Sequence, residues 1–219
     1  MQFLYDHDAG ADYLTLTGEN HKYLFKVRRF KSGEIISLRN LSDPFLYRYE
    51  IAEISRKEAV LRLLERVEKE CKGSDLHLIW CVIDPKTIEK TLPMLNQVGV
   101  GSISFVYCER SQKNFKVDLK RLQKILINSC QQCGRTDLMK LEVIETLNDV
   151  IEAYPGFSVL DFGGKTQWGT PGDILIGCEG GLSDAERQKL QHHPKIGLKT
   201  DIILKSETAA LTIAAKLLI

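Results

Sequence analysis

No apolar run in this chain approaches the roughly 18 to 20 residues a bilayer-spanning helix needs, which sets aside a helical membrane protein. Charge of one sign is equally scarce. Thirty Lys and Arg stand against 29 Asp and Glu, a formal net charge of +1, so a nucleic-acid partner has to be met by a local patch rather than by the whole molecule's field. Internal repeats and low-complexity stretches are missing, and 43% hydrophobic with 27% charged residues excludes a disordered or collagen-like chain. Nucleotide fingerprints are absent too: no GxGxxG occurs, and Gly163-Gly-Lys-Thr166 fails as a phosphate loop because the required earlier glycine is Val159. Cys130-Gln-Gln-Cys133 has CxxC spacing, but no second pair follows and His192-His193 stand about 60 residues on. No metal is therefore expected, and the six cysteines read as reduced thiols. The opening MQFLYDHDAGADY carries acids where a secretory signal carries basic residues, which leads to the expectation of a cytoplasmic protein.

The 219 residues suffice for one sizeable core or two modest domains, and the texture changes near Cys71-Lys-Gly-Ser74. Before it, Tyr13 to Thr17, Glu34 to Leu38, Tyr47 to Ile54 and Ala59 to Leu64 read as short strands separated by turns, the rhythm of a small β-barrel over residues 1–70. After it, strand and helix alternate. Leu76 to Ile83 is an almost continuous apolar run suited to a buried parallel strand, and Asp84-Pro85 starts a helix to Val98. Ile103 to Val106, Leu138 to Val143, Ser158 to Asp161 and Asp173 to Ile176 are further strands, with helices over Asp118 to Cys130, after Ser183 and after Ser206. Repeated βα units predict an α/β domain over 71–219 with a mostly parallel sheet.

Two basic clusters break the neutral average. Residues 20–40 hold Lys22, Lys26, Arg28, Arg29, Lys31 and Arg39 against Glu34 alone, interleaved with Tyr23, Phe25 and Phe30. Cations that meet phosphates beside rings that stack on unpaired bases are what RNA binding requires, while an amphipathic solvated helix is the other reading. Residues 110–140 hold Arg110, Lys113, Lys116, Lys120, Arg121, Lys124, Arg135 and Lys140 against Asp118 and Asp137. A patch in each half favours an extended polyanion.

Three polar or glycine-rich strand ends crowd the last 60 or so residues: Leu160 to Thr166, Ile174 to Ser183, and Ile203 to Ala209. In an open α/β sheet such ends converge on a ligand site. Within the second, Ile176-Gly-Cys-Glu-Gly-Gly181 precedes Ser183 and Glu186, which are spaced as a capping box, so a helix begins just after a loop of bare backbone. Bare backbone can hydrogen-bond a flat uncharged ring at close range; a turn needing positive φ would explain one or two of these glycines but not the set.

Ile176-Gly-Cys-Glu-Gly-Gly-Leu-Ser183 resembles the (L/I)IGPEGG(F/L)S motif, and Leu204-Lys-Ser-Glu-Thr-Ala209 the LRTETA motif, of the bacterial small-subunit ribosomal RNA methyltransferase E family in the SPOUT superfamily. Gln97-Val-Gly-Val100 is similar to its ELGV, Glu109-Arg-Ser111 to its ERS, Cys130 to Arg135 to its EQ(S/C)GR, and His21 to Arg29 with Gly33 to its HHLxxVLRxxxGD. The resemblance spans the chain. It implies a PUA-like β-barrel, then a SPOUT-type parallel sheet with a deep trefoil knot, homodimerisation, and methylation of uridine N3 in 16S rRNA within the small subunit using S-adenosylmethionine. Four positions depart from the pattern: Cys178 replaces a proline, Lys205 an arginine, Ile202 an arginine and Met94 a lysine.

On this resemblance the cofactor lies against Leu160, Asp161, Gly163, Ile176, Gly177, Glu179, Gly180, Gly181, Ile203, Leu204, Ser206 and Thr208. The glycines would present backbone to the adenosine moiety, and Ile176, Ile203 and Leu204 would flank adenine. Lys26, Arg28, Arg29, Arg110, Gln131, Gln132 and Lys205 are expected on the RNA side. Arg135 is the expected substrate-facing cation, with the pinning of a helix end as its other reading. Glu207 is expected to handle a proton or order its loop, with complementing a helix dipole as the alternative. Two rival functions stay open: a SPOUT RNA methyltransferase with another nucleotide target, and a non-catalytic RNA-binding or ribosome-assembly protein.

Overall fold

The structure is a computed structural model that describes residues 1–219 apart from 113, 168, 170 and 171, so Lys113 of the second basic cluster lies outside the described residues. The chain forms two compact units, residues 1–72 with 127–138, and residues 73–126 with 139–219.

In the first unit β1 (Leu4–Tyr5), β2 (Tyr13–Leu16), β3 (Ile35–Arg39), β4 (Phe45–Ile54) and β5 (Ala59–Glu68) make a curled sheet in the order β1-β3-β4-β5-β2. All pairings are antiparallel except β1 with β3. Alternation puts Leu14, Leu16, Ile36, Leu38, Tyr49, Ile51 and Leu61 into one core. Register shifts in the β4–β5 ladder at Arg48/Tyr49 and Ile51/Glu53 bend the long strands around that core. The Tyr49 hydroxyl donates to the Ala11 carbonyl and accepts from the Gly10 amide, both at 2.8 Å, so a buried phenol stays satisfied.

Between β2 and β3 the chain is helical: α1 (Gly18–His21) runs into a π-helical stretch, Lys22–Val27, closed by the Arg28 amide on the Tyr23 carbonyl. Leu24 is buried there while Lys26, Arg28 and Arg29 face solvent, and Arg29 takes the left-handed conformation at φ 61°. Residues 127–138 join this unit through backbone bonds. The Gln131 carbonyl accepts from the Gln2 amide at 2.7 Å, its side-chain oxygen accepts from the Tyr5 amide at 2.8 Å, and the Thr136 amide donates to the Cys71 carbonyl.

The second unit contains β6 (His77–Cys81), α2 (Pro85–Val98), β7 (Ser102–Val106), β8 (Lys140–Ile144), α4 (Leu147–Ala153), β9 (Ser158–Lys165), β10 (Asp173–Ile176), α5 (Asp184–Lys189), β11 (Lys195–Ile196) and α6 (Ser206–Leu218). Helix α3 (Leu119–Cys133) begins here and ends in the first unit. The sheet is parallel throughout, in the order β11-β9-β10-β6-β7-β8. Every residue of β6 is buried, as its apolar run requires. At the start of α2 the Asp84 carboxylate accepts from the Thr87 amide, Pro85 sits at the first helical position, and Gly99 closes the other end at φ 97°. Helix α6 packs on α2. In this unit the seven-residue α4 and the two-residue β11 escape sequence reading, as does the two-residue β1 in the first unit. Among the described residues no helix is long and apolar enough to cross a membrane.

Strand order determines where a ligand can lie. The chain runs outward through β6, β7 and β8, returns to β9, and then fills the place between β9 and β6 with β10. The direction reverses there, since β6 connects outward to β7 while β10 connects back past β9 to β11, and the carboxyl end of the sheet at such a switch is where a ligand crevice forms. Gly164 and Gly197 lie backbone to backbone beside it. A Cβ on Gly164 would stand 2.4 Å from the Ile196 carbonyl carbon, so only glycine permits this approach.

Candidate functional site

A cavity of about 300 Å³ opens beyond the carboxyl ends of β9 and β10. Its walls come from Leu160 to Gly163, from Ile176 to Glu179 with Gly181 and Leu182, from Arg187 on α5, and from Leu198 through Ala209 at intervals. Ten of the twelve residues expected to hold a cofactor line it: Leu160, Asp161, Gly163, Ile176, Gly177, Glu179, Gly181, Ile203, Leu204 and Ser206. Gly180 and Thr208 are not among the lining residues. Thr208 is exposed on α6, and the Gly180 carbonyl is held by Arg110.

The glycine turn is rigid for reasons that can be traced bond by bond. The Gly181 amide donates to the Cys178 carbonyl at 2.9 Å, and Gly181 has φ 66°. A Cβ on Gly180 would come within 3.2 Å of the Arg110 side chain, whose Nη1 donates to the carbonyls of Gly180 (2.8 Å) and Leu182 (3.3 Å). Arg110, expected on the RNA side, thus braces this turn. Ser183 and Glu186 form the expected capping box with both arms present. Glu186 is 4% exposed, and its second oxygen accepts from the Glu109 amide at 2.8 Å. The Glu109-Arg-Ser111 segment is therefore fastened to the glycine turn at two points.

Ser206 joins three elements. The buried Trp80 indole donates to its hydroxyl oxygen at 2.8 Å, and that hydroxyl donates to the Gly177 carbonyl. Strand β6, the glycine turn and the first turn of α6 are thereby fixed together under the cavity. Cys178 fills the family's proline position as a buried side chain; its Sγ lies 3.5 Å from the Gly181 carbonyl, and burial pushes the thiol up, which keeps it protonated.

One ion pair lies in the cavity wall. The Asp161 side chain is only 13% exposed; one oxygen accepts from the Phe162 amide at 2.9 Å and the other from Arg187 Nη1. Arg187 was not anticipated from the sequence, because its partner lies 26 residues away and no local spacing links them. Glu179 and Lys205 line the cavity from exposed positions. Phe162, Ile202 and Ile203 are apolar yet 61%, 72% and 80% exposed at the cavity edge. Glu207 is half-buried in the first turn of α6.

The remaining expected site residues lie in the first unit. Lys26, Arg28 and Arg29 are exposed together. Arg135 is buried at 3%, and its Nε and Nη2 donate to the two oxygens of Asp137 at 3.0 and 2.9 Å. Gln131 is engaged with Tyr5, and Gln132 is exposed beside it.

The fold and the cavity define an RNA methyltransferase built on a PUA domain. A family model described as RNA methyltransferase domain matches residues 69–218, and one described as RNA methyltransferase PUA domain matches residues 16–64. The chain is 43% identical over 222 residues to ribosomal RNA small subunit methyltransferase E of Helicobacter pylori, covering 98% of each, and 25% identical to that of Buchnera aphidicola, covering 94% of this chain and 87% of the other. The chain belongs to the ribosomal RNA small subunit methyltransferase E family. Solved structures share the fold: a Legionella pneumophila methyltransferase with S-adenosylmethionine bound has a TM-score of 0.84 at 24% identity over 99% of this chain and 96% of that one. The Neisseria gonorrhoeae methyltransferase E, also bound to S-adenosylmethionine, has 0.81 at 21% over 99% and 96%.

Proposed function

We infer that this chain transfers a methyl group from S-adenosylmethionine to N3 of a uridine in 16S rRNA. The observation that carries the reading is the cavity beyond β9 and β10, lined by the residues that the family motifs mark for the cofactor. Its donor set suits that molecule. Leu160, Ile176, Leu182, Leu198, Ile203 and Leu204 offer apolar walls for a purine, the glycine turn offers backbone at close range, and the carboxylates of Asp161 and Glu179 suit a cation. No phosphate cradle is needed or built.

When bound, the cofactor supplies an already activated sulfonium methyl. The protein's part is then to hold the uracil nitrogen in line and within near-attack distance. Uracil N3 must lose its proton, and negative charge developing on the ring is stabilised by cations placed beforehand. Arg135 is assigned that role and Glu207 the handling of the proton, while Lys205 is assigned to the RNA. Arg135 serves the substrate if its ion pair with Asp137 aims it, and the helix end if that pair only pins it; the two are separated by substitution below.

Lys26, Arg28 and Arg29 are assigned to RNA phosphates, with Gln131 and Gln132 as further RNA contacts. Two copies of the chain form the working unit, a proposal supported by Phe162, Ile202 and Ile203, which a second subunit would remove from water. The trefoil knot belongs to the same reading and is supported by the place of β10 between β9 and β6. The substrate is 16S rRNA within the small ribosomal subunit, in the cytoplasm. The test is transfer of labelled methyl from S-adenosylmethionine to unmodified small ribosomal subunits: label in 16S rRNA is expected, and none above background with a folded, cofactor-binding protein overturns the substrate assignment.

A further inference from the structure

We propose that Asp161 and Arg187 form a subsite for an α-amino-acid zwitterion, in which Arg187 takes the carboxylate and Asp161 the ammonium. This rests on the cofactor reading above and specifies which end of the molecule these two residues hold. A carboxylate only 13% exposed is costly without a counter-charge. Asp161 meets that need with a guanidinium reaching from α5, and both residues line the cavity. The other charged lining residues, Glu179 and Lys205, are exposed. Arg187 is exposed as well, at 43%, so Asp161 is the sheltered end of this ion pair and its guanidinium partner keeps a face open to an incoming ligand.

Space for a ligand exists beside it. Arg187 Nη2 comes within 3.9 Å of the position a Cβ would take on Gly181, so the missing side chain leaves that edge of the guanidinium open toward the turn. A planar guanidinium matches a carboxylate through two parallel bonds, and a carboxylate accepts from an ammonium. An entering zwitterion thus converts one ion pair into four alternating charges with no charge left over. Apart from the exposed charges of Glu179 and Lys205, the remaining walls are largely apolar side chains and glycine backbone, which assigns them to the nucleoside.

The discriminating probes are S-adenosylhomocysteine, which carries the amino-acid group, and 5′-methylthioadenosine, which lacks it. Their affinities would be measured by calorimetry for the full chain, Arg187→Gln and Asp161→Asn. The unaltered protein is expected to prefer S-adenosylhomocysteine by about tenfold or more, as charge-assisted bonds imply. Either substitution should reduce that preference to about twofold or less while 5′-methylthioadenosine keeps its affinity, which also reports that the cavity is folded. Preference retained in both variants, or both ligands weakening in parallel, overturns the proposal. Equal affinity of the unaltered protein for the two ligands overturns it while leaving the cofactor reading intact, whereas binding of neither overturns the cofactor reading itself.

Discussion

Replacing Ser206 with alanine removes one oxygen and leaves a buried donor and a half-buried acceptor without their partner. The Trp80 indole N–H is 0% exposed and donates to Ser206, and the Gly177 carbonyl accepts from it. A buried donor left unsatisfied costs about 1–3 kcal/mol, and a carbonyl somewhat less because it has a second lone pair. Serine and alanine differ little in volume, so no cavity cost offsets or inflates the loss. Because the Gly177 carbonyl faces the cavity, the buried indole dominates and the expected destabilisation is about 1–3 kcal/mol, lowering Tm by roughly 3–9 °C for a chain of this size. Urea unfolding of the unaltered chain, Ser206→Ala, Trp80→Phe and the double variant would measure it. The double variant should be less damaging than the sum of the singles by about 1–2 kcal/mol, because removing both partners leaves fewer orphaned groups. Ser206→Ala should also weaken S-adenosylmethionine, since the Gly177 turn loses its tie to α6. A loss below about 0.5 kcal/mol, or strict additivity, would refute the claim that this hydroxyl fastens the floor of the site.

Glu186→Gln leaves one oxygen where two accept backbone amides, and it should destabilise the chain by about 1–3 kcal/mol in denaturant while reducing cofactor affinity in calorimetry. Arg135→Ala should lower methyl transfer with cofactor affinity unchanged; unaltered turnover by the folded fraction would assign the residue to the helix end instead. Changing Lys26, Arg28 and Arg29 together to glutamine should reduce the slope of log affinity for RNA against log salt by about 2, at roughly 0.7 per phosphate contact on single strands. Burial and the hydrogen bond to Asp43 push the Tyr47 hydroxyl from 10.0 up to about 12. The unfolded chain therefore loses that proton first, so stability is full below pH 10 and falls as pH rises toward about 12. Tyr47→Phe should flatten that fall in unfolding measured across the range.

Much of the second unit is legible in sequence because its signals are local. The apolar run of β6, the Asp84-Pro85 start of α2 and the Ser183/Glu186 box each lie within a few residues and match the structure. Helix α4 is too short for a periodic pattern, although its Thr146 and Asp149 make a full capping box, and β11 has only two residues. What the sequence does not reveal is long-range pairing. The second arm of Glu186 reaches Glu109 across 77 positions, Arg110 reaches Gly180 across 70, and Trp80 reaches Ser206 across 126. Arg110 illustrates the consequence: its place in a basic cluster points to RNA, whereas its guanidinium holds the turn that lines the cavity. Residues 127–138 are similar, since nothing local in Cys130 to Arg135 announces that the Gln131 carbonyl and side-chain oxygen accept from the amides of Gln2 and Tyr5.

The central claim is the reaction and its base together. Nucleoside mass spectrometry of small-subunit RNA lacking the modification, after incubation of the subunits with this protein and S-adenosylmethionine, tests both at once. N3-methyluridine is expected to appear. No new methylated nucleoside, with cofactor binding verified on the same preparation, would contradict the claim.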